Sequence, residues 1–151
     1  MKSVIEVSRA TTSGWAPGDK RLIEWAGVAM GRTRGDLCIR IIGPRESRVL
    51  NATYLQHDYA TNVLAFPAGD LPQGSAGAAV LGDIAICVSV VAREARAQNK
   101  TLAAHWAHMV VHGVLHLRGY DHMNDADASR MERQERLLLA KLGFADPYQD
   151  Y

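Results

Sequence analysis

The chain has 151 residues and a formal net charge of +1, with 48% hydrophobic and 22% charged residues. This length and balance fit one globular domain with a single core and exclude a disordered or fibrous chain. The small net charge excludes a general attraction to polyanions, so a nucleic-acid site would have to be a local basic patch. We therefore expect one domain over residues 1–151.

The apolar pattern predicts alternating strands and helices. The predicted elements are a strand at 3–7, a helix from Pro17 to Met30, a strand at 36–42, a helix at 45–56, a strand at 61–66 ending at Pro67, a loop at 67–79, a strand at 81–88, and helices at 89–99, 101–117 and 126–142. Thr101 and Asp125 are the expected N-caps of the last two helices. In the helix at 45–56, we expect Val49, Leu50 and Tyr54 to face the core.

This order of elements predicts an α+β fold. We expect a mixed sheet of about four strands covered by about five helices. Cys38 and Cys87 lie in apolar, strand-like runs, which favours small buried thiols of a reduced protein over a disulfide. The N-terminus has no signal-peptide core, and no stretch approaches the ~20 apolar residues of a membrane span. A cytoplasmic location follows as an expectation.

Three histidines in the last third form the most informative pattern. His112 and His116 are four residues apart and share a helical face, and Gly119 can end that helix and turn His122 back towards them. Three imidazoles suit zinc and leave a coordination position open for water or substrate. The sequence thus predicts one zinc ion on His112, His116 and His122, near the C-terminus. The alternative of simple helix-surface histidines leaves the turn glycine unexplained.

The spacing His-x3-His-x5-His is that of the longer zincin motif, with one change. Gly113 stands where a metalloprotease has its glutamate general base, which argues against peptide hydrolysis. Glycine inside a helix costs about 1 kcal/mol relative to alanine, so we expect a steric reason such as room for a bulky substrate. A metal on three neutral imidazoles lowers the pKa of a bound water towards ~7. Such a site can attack a phosphodiester, an ester or an amide.

Other polar residues near the motif have more than one possible role. His105 and His108 share the face of the ligands, and we interpret them as hydrogen-bonded core histidines or as residues behind the ligands. Asp121 is expected to accept the free ring N–H of a ligand histidine, or less simply to be a fourth ligand. Asp83, inside an apolar strand, is expected to have a partner, in the site or in a structural contact.

The last predicted helix carries a charged face. Its members are Arg130, Glu132, Arg133, Glu135, Arg136 and Lys141. Such a face is typical of a solvated surface supported by pairs three and four residues apart. A contact with RNA or a partner protein is the alternative.

The histidine motif resembles the signature of the YbeY family of bacterial endoribonucleases. The likeness centres on His-Trp-Ala-His-Met-Val-Val-His-Gly, followed after two residues by His-Leu-Arg-Gly-Tyr-Asp-His, at positions 105–122. It extends to Leu50-Asn51, Tyr54, Asp58, Thr61–Pro67, Leu81–Ile84, Leu142-Gly143 and Asp146–Tyr148. The resemblance therefore covers most of the chain from about residue 36 onward.

This resemblance implies a metal-dependent endoribonuclease that is specific for single strands. It implies action in 16S rRNA 3′-end maturation and in late ribosome quality control, with one zinc per chain on His112, His116 and His122. The partners that it implies are single-stranded rRNA, the small ribosomal subunit, ribosomal protein S11 and the GTPase Era.

One position departs from the family pattern. Leu55 directly follows Tyr54 of the Asn-x-x-Tyr motif, where the family has an arginine. A guanidinium there would suit bidentate contact with a phosphate, which leucine cannot make. We expect the charge to come instead from one of three other residues, Arg45, Arg48 and Arg118. If none supplies it, the phosphate contact is weakened.

Two alternatives to the nuclease remain open at this point. A zinc-stabilised ribosome-assembly factor that binds rRNA or ribosomal proteins without cutting RNA is favoured by Leu55 and by the near-zero net charge. A metal-dependent hydrolase of a small ester or amide is disfavoured by Gly113. Cleavage assays on RNA, ester and peptide substrates separate the three.

Overall fold

The computed structural model describes residues 3–68 and 80–149. Its strands are β1 Ile5–Arg9, β2 Asp36–Ile42, β3 Val63–Pro67 and β4 Val80–Cys87, and its helices are α1 Asp19–Met30, α2 Pro44–Leu55, α3 Val88–Ala97, α4 Leu102–Leu117 and α5 Asp125–Lys141. The predicted order and type of these elements are confirmed, as is the α+β fold. Most of the loop predicted at 67–79 lies outside the described residues, from position 69 onward.

The strands form one mixed sheet in the order β1-β2-β4-β3. β1, β2 and β4 run parallel, and the α1 crossover links the first two. β3 runs antiparallel to β4 at the edge of the sheet. Pro67 ends β3, which an edge strand tolerates because one side of its backbone makes no ladder hydrogen bonds.

The two faces of the sheet are covered unequally. Ile39 and Ile84 lie on the face that packs against α1 and α4 in the large core. Side chains alternate between the two faces of a strand, so Ala85 and Cys87 point to the other face, where they pack in a smaller cluster with Leu50 of α2. Asp83 lies on this second face and is exposed, so its charge does not require the partner that was predicted for it in the site or in a structural contact.

Helix α4 lies at the centre of the large core. It contacts the sheet, α1, α3 and α5, and most of its residues are buried, as its nearly all-round apolar sequence requires. Thr101 caps its start, as predicted, because the Thr101 hydroxyl accepts the Ala104 N–H at 3.1 Å. A helix held on all sides fixes the positions of the histidines it carries.

Helix α2 presents a different face to the protein from the one predicted. Val49 and Tyr54 are 57% and 60% exposed, so their predicted core positions are wrong, whereas Leu50 packs as expected. Ser47 and Asn51 are buried instead. Their side chains bond the backbone of residues 59–61, with Ser47 Oγ donating to the Thr61 carbonyl and Asn51 Nδ2 donating to the Tyr59 carbonyl, both at 2.9 Å. Hydrogen bonds, more than apolar burial, therefore hold this helix against the segment at residues 59–61.

Helix α5 corrects two predictions. Its N-cap is Asn124, whose side chain accepts the Asp127 N–H at 2.9 Å, and not Asp125. Glu135 is 1% exposed and lies among the apolar residues of the inner face, so it does not belong to the charged surface. The arginines of that surface and Lys141 are exposed as predicted.

Cys38 and Cys87 are both free, with Cys87 buried and Cys38 half-buried. Among the described residues, we find no helix with the length and apolar character needed to cross a membrane.

Candidate metal centre

His112, His116 and His122 converge at the C-terminal end of α4. The helix ends in a Schellman motif, in which the Gly119 N–H donates to the His116 carbonyl at 3.0 Å and the Tyr120 N–H donates to the Leu115 carbonyl at 3.1 Å. Gly119 has φ +100°, a left-handed conformation that favours glycine. This turn reverses the chain and brings His122 over the last turn of α4.

The three imidazole rings are close neighbours. Their centroids lie 5.7 Å apart for His112 and His116, 5.9 Å for His112 and His122, and 5.4 Å for His116 and His122. One ring nitrogen from each lies within 4.8 Å of the others. Burial and the neighbouring His112 lower the pKa of His116. His116 is therefore neutral at pH 7 and has a lone pair to offer.

This donor set fits a zinc ion. Imidazole nitrogen is a ligand that zinc accepts, and the three available ring nitrogens lie within 4.8 Å of one another, so His112, His116 and His122 could hold such an ion. The His122 side chain is 59% exposed, which leaves the outer side of the site open. Three imidazole ligands and an open side are typical of a catalytic rather than a structural zinc site.

A carboxylate lies behind the trio. Glu135 of α5 places Oε1 3.5 Å from His112 Nδ1, and its Oε2 accepts a hydrogen bond from His108 Nε2. The Tyr148 hydroxyl donates to both Glu135 oxygens at 3.0 Å. Burial raises the pKa of Glu135, but the hydrogen bonds and charges of His108 and His112 outweigh it and bring that pKa to about 2. Glu135 is therefore a buried, charged group, and its burial and charge raise the pKa of Tyr148.

A second histidine–carboxylate pair lies towards the start of α4. His105 Nε2 donates to Glu94 Oε1 of α3 at 2.9 Å, and Asn62 Nδ2 donates to the same oxygen at 3.0 Å. Burial lowers the pKa of His105, and Glu94 only partly offsets it. The prediction that His105 and His108 are hydrogen-bonded core histidines is confirmed, although the Nδ1 atom of each is buried without a partner among the described residues.

His108, His112 and Glu135 also bring three possible ligand atoms within 4.8 Å of one another. In this group, however, His108 and Tyr148 already donate to the carboxylate. Hydrogen bonding therefore satisfies the Glu135 oxygens without an ion. The open trio and this hydrogen-bonded group share His112, which lines the groove with His116 and His122 and a second pocket with His108 and Tyr148.

The open side of the trio faces a groove of about 520 Å³. Its other walls come from the end of α2, the segment 56–62 and strand β3. Tyr54 and Tyr59 are 60% and 57% exposed there, and the Tyr54 ring meets Phe66 edge-on at 5.1 Å. Leu55, 51% exposed, also lines the groove. The groove thus offers flat aromatic surface beside the three histidines.

Comparison with known proteins gives one consistent family. The profile described as endoribonuclease YbeY matches residues 20–143. The chain belongs to the YbeY family. It is 52% identical to the endoribonuclease YbeY of Stutzerimonas stutzeri over 93% of this chain and 88% of that protein, and 50% identical to that of Pseudomonas entomophila over 97% and 93%. A Thermotoga maritima protein solved in solution shares the fold with a TM-score of 0.57 at 21% identity, over 97% of this chain and all of that one.

A glycine, Gly113, directly follows His112 inside α4, and the structure gives a reason for it. A Cβ at Gly113 would lie 3.0 Å from Ile84 Cγ2 and 3.3 Å from Val63 Cγ2. Gly113 therefore lets α4 approach the sheet closely. The expected steric reason is therefore found in packing against the sheet. Gly113 also lines the groove beside the histidines, so the expectation that it makes room for a substrate stays a prediction.

The arginines predicted to replace the family arginine at Leu55 do not line the groove. Arg48 is paired with Asp58 at 2.7 Å, and both side chains are exposed. Arg118 donates to the Ala29 carbonyl of α1 at 2.7 Å and lies over the Tyr120 ring, so it is held on another side of the protein. Arg45 is exposed on α2 and has no ion pair with any described residue.

Asp121 lies beside the trio but not in the predicted contact. Its Oδ1 accepts the backbone N–H of His122 at 2.7 Å and is 3.9 Å from His122 Nδ1, beyond hydrogen-bond distance. It therefore shapes the loop that presents His122. The carboxylate behind a ligand ring is Glu135, which sequence reasoning placed on the surface.

A helical count could have found Glu135. It follows Met131 by four residues and precedes Leu138 by three, so the three residues share one face of α5. A carboxylate on an apolar face needs a buried partner, and the histidines of α4 are the available donors. For Tyr148 the C-terminal segment has no repeating pattern, and its one signal is that Asp146–Tyr148 belongs to the YbeY resemblance.

Proposed function

We propose that this chain is a zinc-dependent endoribonuclease that cuts single-stranded RNA. The observation that carries the proposal is the convergence of three imidazoles, His112, His116 and His122, on the side of α4 that opens to the groove. The family membership supports the reaction class, because the relatives are named endoribonucleases. The chemistry of the donor set supports zinc.

The aromatic groove supports a single-stranded substrate. Exposed rings such as Tyr54 and Tyr59 can stack on bases, and bases offer their faces only when they are not stacked in a duplex. Stacking contributes about 1–3 kcal/mol per base and tolerates different sequences. A groove of this kind holds a strand beside the three histidines without reading its sequence.

The chain's own residues prepare the site for a phosphodiester. His112, His116 and His122 would hold the ion, which when bound lowers the pKa of a water and offsets charge on a phosphoryl oxygen. Asn51 and Ser47 hold the backbone of residues 59–61 in the groove wall. The open side at His122 admits the substrate.

The wider role follows from the family resemblance. We propose that the substrate is the 3′ end of 16S rRNA, and that the chain acts in its maturation and in late ribosome quality control. The small ribosomal subunit, ribosomal protein S11 and the GTPase Era are the proposed partners, and the proposed location is the cytoplasm, where these assemble.

Cleavage of a single-stranded fragment of the 16S rRNA 3′ end tests the proposal. We expect the zinc-loaded protein to cut this fragment and to leave the same sequence intact in a duplex. A chelator should stop cleavage, added zinc should restore it, and His116→Ala should lack it at any zinc concentration.

Each other outcome identifies another function. Binding of the fragment without cleavage, with one zinc per chain, would overturn the nuclease and favour the assembly factor. Cleavage that survives the chelator and His116→Ala would show a contaminating nuclease. Turnover of an ester or peptide in place of RNA would assign the site to a small-molecule hydrolase.

A further inference from the structure

We propose that Glu135 is a positioning residue that holds the His112 ring for the metal ion, and that Tyr148 of the C-terminal segment holds Glu135 in turn. This inference rests on the proposed zinc site, and it assigns a role to two residues outside the three ligands. It goes beyond the site itself because it joins the C-terminal segment to the metal centre.

The first step is the contact between Glu135 and His112. Glu135 Oε1 lies 3.5 Å from His112 Nδ1, and the Glu135 side chain is 1% exposed. A carboxylate at Nδ1 favours the tautomer with its proton on that atom, which leaves the Nε2 lone pair for the ion. It also limits rotation of the ring about its bond to Cβ. Both effects keep one ligand ready before the ion arrives.

The second step is the surroundings of Glu135. It is 1% exposed, and a carboxylate at this depth is costly unless its oxygens are paired. His108 Nε2 and the Tyr148 hydroxyl supply those hydrogen bonds, one from α4 and one from the C-terminal segment. An apolar residue of similar volume would satisfy the core equally well. A buried carboxylate against a ligand ring is therefore better explained by its action on that ring.

The third step is the anchoring of Tyr148. Arg136 of α5 pairs with Asp146 at 3.1 Å, and its guanidinium lies 5.3 Å from the centre of the Tyr148 ring. These contacts fix the segment on α5, so the hydroxyl reaches both Glu135 oxygens at 3.0 Å. The carboxylate cannot turn away from His112 without losing one of these bonds. Tyr148 therefore acts on the metal site through Glu135, and its hydroxyl also lies 3.4 Å from His108 Nε2.

The chain offers a matched control on the same helix. Glu94 accepts from His105 in a pair of the same chemical kind, and His105 is not a member of the trio. Loss of the Glu94 charge perturbs a half-buried carboxylate and a buried histidine without touching a ligand ring. An effect specific to Glu135 is thus separable from the general cost of changing such a pair.

Zinc affinity of the full chain, measured by competition with a chromophoric chelator, tests the inference. We expect Glu135→Gln to weaken zinc binding by about 10- to 100-fold. Tyr148→Phe should weaken it by about 2- to 10-fold, which is the value of one hydrogen bond. Glu94→Gln should stay within about twofold of the unchanged chain, since it removes no contact to a ligand ring. With cobalt in place of zinc, the visible absorption bands of Glu135→Gln should shift, which a purely structural role would not cause.

Three results would overturn the inference. If His116→Ala abolishes zinc binding but Glu135→Gln and Tyr148→Phe bind like the unchanged chain, the positioning role is wrong and the proposed site stands. If the unchanged chain binds two zinc ions and Glu135→Gln binds one, Glu135 is itself a ligand. If the unchanged chain binds no zinc, the proposed function is wrong, and this inference, which rests on it, is wrong as well. Should Glu135→Gln not fold, Tyr148→Phe alone decides, because it removes only a hydroxyl.

Discussion

The two sides of His112 are built in opposite ways. On the inner side, His108, Glu135 and Tyr148 form a hydrogen-bonded group in which His108 and Glu135 are buried and Tyr148 is 38% exposed. On the outer side, His122 stands 59% exposed on a loop above an open groove. The inner group is joined to the packing of α4 and α5, whereas the outer side is free to meet an ion and a substrate. Fold stability and metal binding should therefore separate along this line.

The largest effect is expected on the inner side, from His108→Ala. The change leaves the Glu135 charge buried with one partner fewer, and breaking a buried pair in this way costs about 3–5 kcal/mol. Tyr148 and His112 still contact the carboxylate, so we expect about 3 kcal/mol. Urea unfolding of the metal-free protein measures this loss of stability. His105→Ala is measured beside it, because its partner Glu94 is half-buried rather than buried. A loss below about 1 kcal/mol would show that the inner group is not tied to the fold.

The next effect is expected on the outer side, from His122→Ala. Loss of one ligand should weaken zinc binding by about 100-fold or more. Because the side chain is mostly exposed, the free energy of unfolding of the metal-free protein should change by less than about 0.5 kcal/mol. Chelator competition and urea unfolding on the same sample measure both. A large loss of stability in the metal-free protein would contradict this separation of metal binding from fold stability, since it would make His122 part of the core.

A smaller effect is expected from pH, through His105. Its pKa in the folded state is lowered, chiefly by burial, below the value of about 6.5 in the unfolded chain. As the pH falls, the unfolded state therefore binds the proton first. The stabilising contribution is complete above pH ~6.5 and is lost as the pH falls through that value towards the folded pKa, with a slope of at most about 1.4 kcal/mol per pH unit for one proton.

Urea unfolding of the metal-free protein between pH 7.5 and 5.5 measures this slope. The pKa of His116 is lowered in the same way, so His105→Gln should reduce the slope without abolishing it. An unchanged slope in His105→Gln would mean that the buried pair with Glu94 does not titrate in this range. The His105–Glu94 pair would then contribute to stability without being sensitive to mild acid.

The sequence could predict the three histidines of the open trio, but not the hydrogen-bonded group on the inner side of His112. The three ligands lie within one helix end and its turn, and the rules for helical spacing and for glycine at a helix end are local, so the trio could be predicted. Glu135 lies 27 residues from His108 in the chain, and Tyr148 lies 40 residues away. The burial of Glu135 could be inferred from its place on the apolar face of α5, but its contacts and those of Tyr148 depend on how α5 and the C-terminal segment pack on α4, which no local pattern encodes.

The errors on α2 and the packing role of Gly113 have a related physical cause. Periodicity assigned Val49 and Tyr54 to the core because apolar residues usually hold a helix in place, but Ser47 and Asn51 hold this one by hydrogen bonds to a loop. Gly113 was interpreted from its neighbour His112, and its contact with Ile84, on a strand of the sheet, was not predicted. In both cases the deciding contact is remote in sequence.

The smallest effect is expected at Leu55, on the outer side, where the groove lacks the family arginine. Leu55→Arg places a guanidinium at an exposed position of the groove wall, within reach of a bound strand. One added phosphate contact should raise affinity for single-stranded RNA several-fold at low salt and steepen the dependence of log affinity on log salt by about 0.7. Val49→Arg is the matched control, because Val49 is an exposed apolar residue of the same helix that does not line the groove. If both substitutions strengthen binding equally, the gain comes from net charge alone, and the strand does not pass Leu55 on its way to the histidines.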